Sequence, residues 1–142
     1  LKIKRLFGNA ILPTRADDGS AGLDLYACSP YTTKINPHET VKVGTGIAIE
    51  LPDGTFGGIY ARSGIATKRG LAPANAVGVV DESYRGEIIV ALHNFSDEVQ
   101  EIGPYERIAQ LIVQPYVRVS LEEVEELSKT TRGEGGFGHS GK

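Results

Sequence analysis

Thr45-Gly46-Ile47-Ala48-Ile49-Glu50-Leu51 alternates in hydropathy and runs straight into Pro52. Apolar side chains at every second position line one face of an extended strand, so this stretch predicts a β-strand. Ala21-Gly22-Leu23-Asp24-Leu25-Tyr26 repeats the pattern upstream. Residues 87–94 and 107–113 are richer in β-branched and apolar side chains, as in strands buried on both faces. Prolines at 13, 30, 37, 52, 73, 104 and 115, with 18 glycines, keep the segments between them short. An interior proline costs a helix about 3 kcal/mol, so this spacing leaves little room for long helices. The expected class is all-β, and the pattern fits either a sandwich or a barrel.

Two stretches depart from this pattern. Residues 63–69 predict one or two helical turns, opened by a Ser63 cap and stopped by Gly70. Leu121, Val124 and Leu127, set among Glu122, Glu123, Glu125 and Glu126, predict a short amphipathic turn or an acidic edge strand.

Composition bounds the function. A chain of 142 residues and 15.2 kDa is one domain's worth of sequence. Fifteen Lys and Arg against 18 Asp and Glu give a net charge of -3, which disfavours a sequence-independent nucleic-acid binder. The single cysteine, Cys28, excludes an intrachain disulfide and a multi-cysteine metal site, and fits a reducing compartment. His38, His93 and His139 lack zinc spacing. No apolar run reaches the roughly 20 residues of a membrane helix, so no membrane partner is expected. Leu1-Lys2-Ile3-Lys4-Arg5 has no apolar stretch behind its basic residues, unlike a secretory signal.

Residues 129–142 contain five glycines and one aromatic residue, too little to order themselves. They read either as a loose tail or as a flap that orders over a ligand. Gly133, Gly135 and Gly138 satisfy G-x-G-x-x-G, but neither the strand before it nor the helix after it that a dinucleotide fold requires is present. Backbone amides of consecutive glycines, the Arg132 guanidinium and the Phe137 ring suit a nucleotide polyphosphate.

Three further stretches carry polar groups at strand ends. Tyr60-Ala61-Arg62-Ser63-Gly64 places Ser63 either as a helix cap or as an anion contact. Residues 75–88 read as a β-hairpin, with Asp81 and Ser83 as turn formers or with Asp81 as a general base beside Tyr84. Gln110 interrupts the apolar strand Arg107-Ile108-Ala109-Gln110-Leu111-Ile112 and serves either fold or ligand.

Together, Ala21-Gly22-Leu23-Asp24-Leu25, Arg62-Ser63-Gly64, residues 78–86, residues 107–112 and residues 132–141 resemble the five ordered motifs of the homotrimeric dUTPase family (deoxyuridine triphosphate nucleotidohydrolases). Two departures are His139-Ser140, where the family usually has Ser-Thr, and Ala61, where Pro is common.

The resemblance implies a jelly-roll-like β-barrel or sandwich over residues 1–128. It also implies a flexible glycine-rich arm, 129–142, that completes a neighbouring subunit's site in a homotrimer. It implies hydrolysis of dUTP to dUMP and pyrophosphate, which keeps uracil out of DNA and supplies dUMP for thymidylate synthesis. Asp81 is the implied general base. Asn75 and the backbone of Gly78, Val79 and Val80 read uracil, and Tyr84 packs on the deoxyribose. Arg62, Ser63, Gly64 and Gln110 hold phosphates, Arg132, Gly138 and Ser140 take the γ end, and Phe137 covers the base. Mg²⁺ is expected through the triphosphate and waters, with no direct protein ligand and with Asp24 able to reach it through a water. The expected location is cytoplasmic, or the host-cell interior for a viral protein. A dCTP deaminase of the same fold and a nucleotide-responsive regulatory protein are the alternatives.

Overall fold

The computed structural model describes residues 1–137. The alternating stretches become short strands, each closed by a proline, glycine or polar turn. In chain order they are β1 (Lys2–Arg5), β2 (Leu23–Tyr26), β3 (Thr33–Ile35), β4 (Thr40–Gly44), β5 (Ile47–Glu50), β6 (Thr55–Tyr60), α1 (Ser63–Arg69), β7 (Leu71–Pro73), β8 (Gly78–Val80), β9 (Ile89–Asn94), β10 (Gln100–Ile102) and β11 (Arg107–Pro115). One sheet has the order β2-β11-β6-β8 and another β4-β9-β7, while β1 pairs with β5 and β10 with β3. Every ladder is antiparallel. Among the described residues no sheet closes into a barrel. The all-β, jelly-roll-like expectation holds as stacked sheets.

Leu25, Ile59 and Leu111 from the first sheet meet Val43, Leu71, Val90 and Leu92 from the second in one buried cluster. Each fully buried aliphatic side chain contributes about 1.5–3 kcal/mol relative to exposure. In β5, Ile47, Ala48 and Ile49 are all buried, so this strand is covered on both faces. β9, expected to be buried on both faces, instead alternates. Val90, Leu92 and Asn94 point inward, while Ile89 is exposed. Buried Asn94 stays satisfied: its Nδ2 donates to the carbonyls of Ile35 (3.0 Å) and Glu98 (2.7 Å), and its Oδ1 accepts from Ser96 N (2.9 Å).

Three local expectations need correction. Residues 75–88 do not form a hairpin ladder, because β8 pairs with β6 whereas β9 pairs with β4 and β7. The two strands diverge into different sheets, and only the turn closed by Tyr84 N–H to Asp81 C=O (3.0 Å) remains. α1 has the expected bounds, yet Ser63 is not its cap. Arg62 takes the N-cap position with extended backbone (φ -87°, ψ 129°), and no side chain caps the helix. Gly70 does stop it, in the left-handed conformation (φ 66°) that glycine adopts without a Cβ clash. Residues 121–127 form neither helix nor strand, and Leu121 and Leu127 lie exposed with no sheet edge or apolar surface against them.

Candidate active site

The divergence of β8 and β9 opens a cleft of about 230 Å³. β8 is the edge strand of its sheet, so its main-chain groups on the side away from β6 stay free of ladder bonds. Ile59 and Val90 line the cleft beside Asn75, Asp81, Tyr84 and Glu87. Asn75 opens the tight bend before β8, where Ala76 is left-handed (φ 61°) and Val77 N–H donates to Asn75 C=O at 2.6 Å. Among the described residues the Asn75 carboxamide has no hydrogen-bond partner in the chain, leaving donor and acceptor available. Tyr84 is fixed by its hydroxyl, which donates to Glu87 C=O (2.9 Å). Gly86 makes room for that ring: a Cβ there meets the Tyr84 hydroxyl and, at 2.6 Å, its Cζ.

Asp81 follows the last residue of β8 and is exposed. Among the described residues no side chain or backbone N–H bonds its carboxylate. Its neighbour Glu82 is the opposite case. Oε2 accepts from Gly54 N–H (2.9 Å), Arg118 Nη2 (2.6 Å) and the Tyr116 hydroxyl (3.4 Å). The Gly54 amide, and after it the Arg118 guanidinium, hold the Glu82 carboxyl below its ordinary range. The stability this carboxylate contributes is fully present above the ordinary carboxylate value, about 4.3, and is lost as pH falls through the lowered folded value. Urea midpoints of wild type and Glu82→Gln are therefore expected to differ near pH 6 and converge near pH 3. A gap that widens in acid contradicts this.

A second polar cluster lies at the other end of β6. Arg62 Nε donates to Asp24 Oδ1 (2.8 Å) and Arg107 Nη1 to Asp24 Oδ2 (3.0 Å), so one half-buried carboxylate orients two guanidinium groups. Gln110 stands opposite both Asp24 and Tyr60 in the ladders, and its Nε2 donates to Ala61 C=O (2.8 Å). Gly22 leaves the space that Gln110 Oε1 fills, since a Cβ there collides with it. Ser63 and Gly64 are exposed in the first turn of α1, where the Ser63 hydroxyl is not used as a cap.

The sequence-predicted residues thus form two groups. Asn75, Gly78, Val79, Val80, Asp81 and Tyr84 share the cleft, while Arg62 and Gln110 share the Asp24 cluster with Ser63 and Gly64 beside them in α1. Val80 pairs with Gly57, so Asp81 sits level with Phe56, and Arg62 lies two residues beyond Tyr60. Six residues of strand, at about 3.3 Å each, separate Asp81 from Arg62 by roughly 20 Å, whereas Gly78, at the other end of β8, pairs with Ile59 and lies nearer Arg62. The described part of the arm, residues 129–137, joins neither group. Within residues 129–137 every hydrogen bond is internal, among them Arg132 Nε to Gly135 C=O (2.6 Å), and Phe137 is fully exposed. Gly138 and Ser140, like His139, lie outside the described residues. Sequence reasoning missed Glu82, Glu87, Arg107 and Arg118 as site residues. Arg107 stood inside a quoted motif, but its partner Asp24 is 83 residues away.

Strands and the turns beside them wall this base-sized cleft, which carries a free carboxylate, while a separate cluster on Asp24 holds two oriented guanidinium groups. That combination defines a class, the all-β nucleotide-handling proteins. Residues 8–141 match the sequence profile of the dUTPase family, and the chain belongs to that family. The deoxyuridine 5'-triphosphate nucleotidohydrolase of Syntrophotalea carbinolica is 43% identical, over 99% of this chain and 96% of that protein. The protein of the same name from a Hydrogenobaculum species is 47% identical, over 99% and 97%. Among solved structures, the dUTPase of Staphylococcus bacteriophage 80alpha with dUpNHpp superposes with a TM-score of 0.90 at 29% identity, covering 99% of this chain and 98% of that one.

Proposed function

We propose that the chain hydrolyses dUTP to dUMP and pyrophosphate, with Asp81 as the base that activates the attacking water. The observation that carries this reading is the unpaired Asp81 carboxylate at the rim of the cleft along β8. Family membership, and two relatives named deoxyuridine 5'-triphosphate nucleotidohydrolase, support it. The water oxygen bonds to the α-phosphorus as the bond to the bridging oxygen breaks. The proton passes to Asp81, and pyrophosphate leaves. Positioned bases contribute about 10²–10⁴-fold.

The open edge of β8 and the Asn75 carboxamide pair with the uracil edge. Cytosine presents the opposite donor and acceptor, leaving buried polar groups unpaired, which discriminates by about 10⁴-fold. The thymine methyl overpacks the same wall, at a cost of about 1–3 kcal/mol. Tyr84 packs on the deoxyribose and excludes a 2′-hydroxyl. Gly86→Ala pushes that ring aside, and the preference for dUTP over UTP is expected to fall roughly 10-fold or more. Competing the two substrates against wild type and variant measures it, and an unchanged preference contradicts the role of Tyr84.

Asp81, set at the α-phosphorus, and the Arg62 cluster lie roughly 20 Å apart along β6, so we infer that the two act on a bound triphosphate from different subunits. We read the site as assembled between subunits of a homotrimer. Asn75, Asp81 and Tyr84 come from one subunit. Arg62, Ser63, Gly64 and Gln110 come from a second. Arg132 and Phe137, with Gly138 and Ser140 beyond the described residues, come from a third as its own unit, the arm 129–142. The exposed Val117, Val119, Leu121 and Leu127 on the way to that arm fit burial against a neighbour.

Among the described residues no three His, Cys, Asp or Glu side chains gather as a ligand set. Mg²⁺ commonly keeps its waters and binds through substrate phosphates, and the donors here fit that mode. Asp24 accepts three hydrogen bonds from two arginines and retains a lone pair to accept a metal-bound water. Bound there, Mg²⁺ supplies charge neutralisation on the triphosphate. No helix among the described residues is long and apolar enough to cross a membrane, and the substrate points to the cytoplasm or, for a virus, the host-cell interior.

Pyrophosphate release from dUTP, dTTP, dCTP and UTP, with and without Mg²⁺, tests the reading. dUTP with Mg²⁺ is expected to exceed dCTP by about 10⁴-fold. Equal turnover of dUTP and dTTP overturns the uracil assignment, and ammonia release from dCTP replaces the hydrolase with the deaminase.

A further inference from the structure

The Asp81 turn is held from behind. A second hollow of about 470 Å³, lined by Phe56, Val79, Asp81, Glu82, Tyr116 and Arg118, shares Asp81 and Val79 with the base cleft. Among the described residues the turn is closed on itself by the backbone bond from Tyr84 N–H to Asp81 C=O and by Arg85 Nη1, which donates to the carbonyls of Glu82 (2.6 Å) and Tyr84 (3.0 Å), while the Asp81 carboxylate has no anchor of its own. Space on both sides leaves such a turn free to shift. One side chain spans the hollow. Glu82 reaches Gly54, in the bend before β6, and Tyr116 and Arg118, in the segment that leaves β11. Arg118 is itself braced, with Nε donating to the Tyr116 hydroxyl (2.8 Å) and the guanidinium 5.6 Å from the Tyr116 ring centroid. Two elements distant in sequence therefore converge on the residue directly after the proposed base.

An ordinary surface ion pair contributes little to stability, and Arg118 is well exposed. The Glu82 side chain, however, is only 23% exposed and takes three donors at one oxygen. Such a contact fixes a backbone position.

We infer that Glu82, clamped by Gly54, Tyr116 and Arg118, is a positioning residue that holds Asp81 in register with the α-phosphorus. The inference rests on the reading of Asp81 as the base. A misplacement of about 1 Å in a reacting group can cost on the order of 100-fold in rate. The clamp acts on the chemical step. Binding of uracil by Asn75 and the open edge of β8 does not depend on it.

The test uses the full chain with Glu82→Ala, Glu82→Gln, Arg118→Gln and the double variant Glu82→Ala/Arg118→Gln. Binding of the non-hydrolysable α,β-imido analogue of dUTP counts active sites, so misfolded protein does not enter the rate. kcat per counted site is expected to fall about 10–100-fold in Glu82→Ala and Arg118→Gln, with KM for dUTP within about 2-fold of wild type. The double variant is expected to be no slower than the worse single variant, and Glu82→Gln, which keeps an acceptor, to recover part of the loss. Unchanged kcat per site in both single variants overturns the clamp, as does a double variant whose losses multiply. Those outcomes leave the hydrolase reading standing when wild type turns over dUTP. A wild type that releases no pyrophosphate from dUTP overturns that reading, and the clamp with it.

Discussion

Asp81→Asn is expected to lower kcat for dUTP by about 10²–10⁴-fold while leaving binding of a non-hydrolysable analogue within a few-fold of wild type. The carboxamide has the volume of the carboxylate but does not take the proton that a nucleophilic water must lose. Binding is expected to survive because the proposed contacts of Asn75, the edge of β8 and Tyr84 with the nucleotide do not involve Asp81. Folding survives too. The Asp81 carboxylate is exposed and makes no hydrogen bond among the described residues, so the substitution strands no partner. Stability within about 0.5 kcal/mol of wild type is the expectation for such a site. Stopped-flow turnover beside calorimetric titration of the analogue measures both quantities. An active Asp81→Asn removes the base from position 81, and an inactive variant that also fails to bind makes Asp81 a binding residue.

Truncation after Ser128 is the second large effect. The described part of the arm, residues 129–137, hydrogen-bonds only to itself and Phe137 is fully exposed, so truncation takes no hydrogen bond of these residues from the folded body. The melting temperature is expected to stay where it is. Turnover is not. Stacking of one aromatic ring on a base contributes about 1–3 kcal/mol, which alone is about 5–150-fold in kcat/KM. Loss of the Arg132 guanidinium from the phosphates adds to that. Phe137→Ala and Arg132→Ala separate the two contributions, the first acting at the base and the second at the polyphosphate. Truncated protein with wild-type kinetics makes residues 129–142 a tail without a role in the reaction.

Local features of this fold were legible because local rules decide them. Period two marked β2 and β5, β-branched apolar runs marked β9 and β11, and Gly70 marked the end of α1. The position of Asp81 at a strand end followed from the apolar run before it. What the sequence did not reveal depends on which strands meet. Residues 75–88 have hairpin composition, but a three-residue strand carries no mark of its partner, and β8 went to β6. Ser63 has the chemistry of a cap, yet the extended Arg62 took that position with its side chain bonded to Asp24. The Asp24–Arg107 pair spans 83 residues and exists only because β2 lies beside β11. Glu82 carries no mark of its contacts in the sequence, because Gly54 and Arg118 reach it from 28 and 36 residues away. The five motifs named the chemistry, whereas the second layer that supports it came from topology.

One isotope measurement bears most directly on the chemistry assigned to the cleft. With enzyme in excess over dUTP, a single turnover in ¹⁸O-labelled water is quenched and the products are separated by mass. Attack by Asp81-activated water at the α-phosphorus puts one ¹⁸O in dUMP and none in pyrophosphate. Label in pyrophosphate, or dUMP that emerges unlabelled, contradicts it.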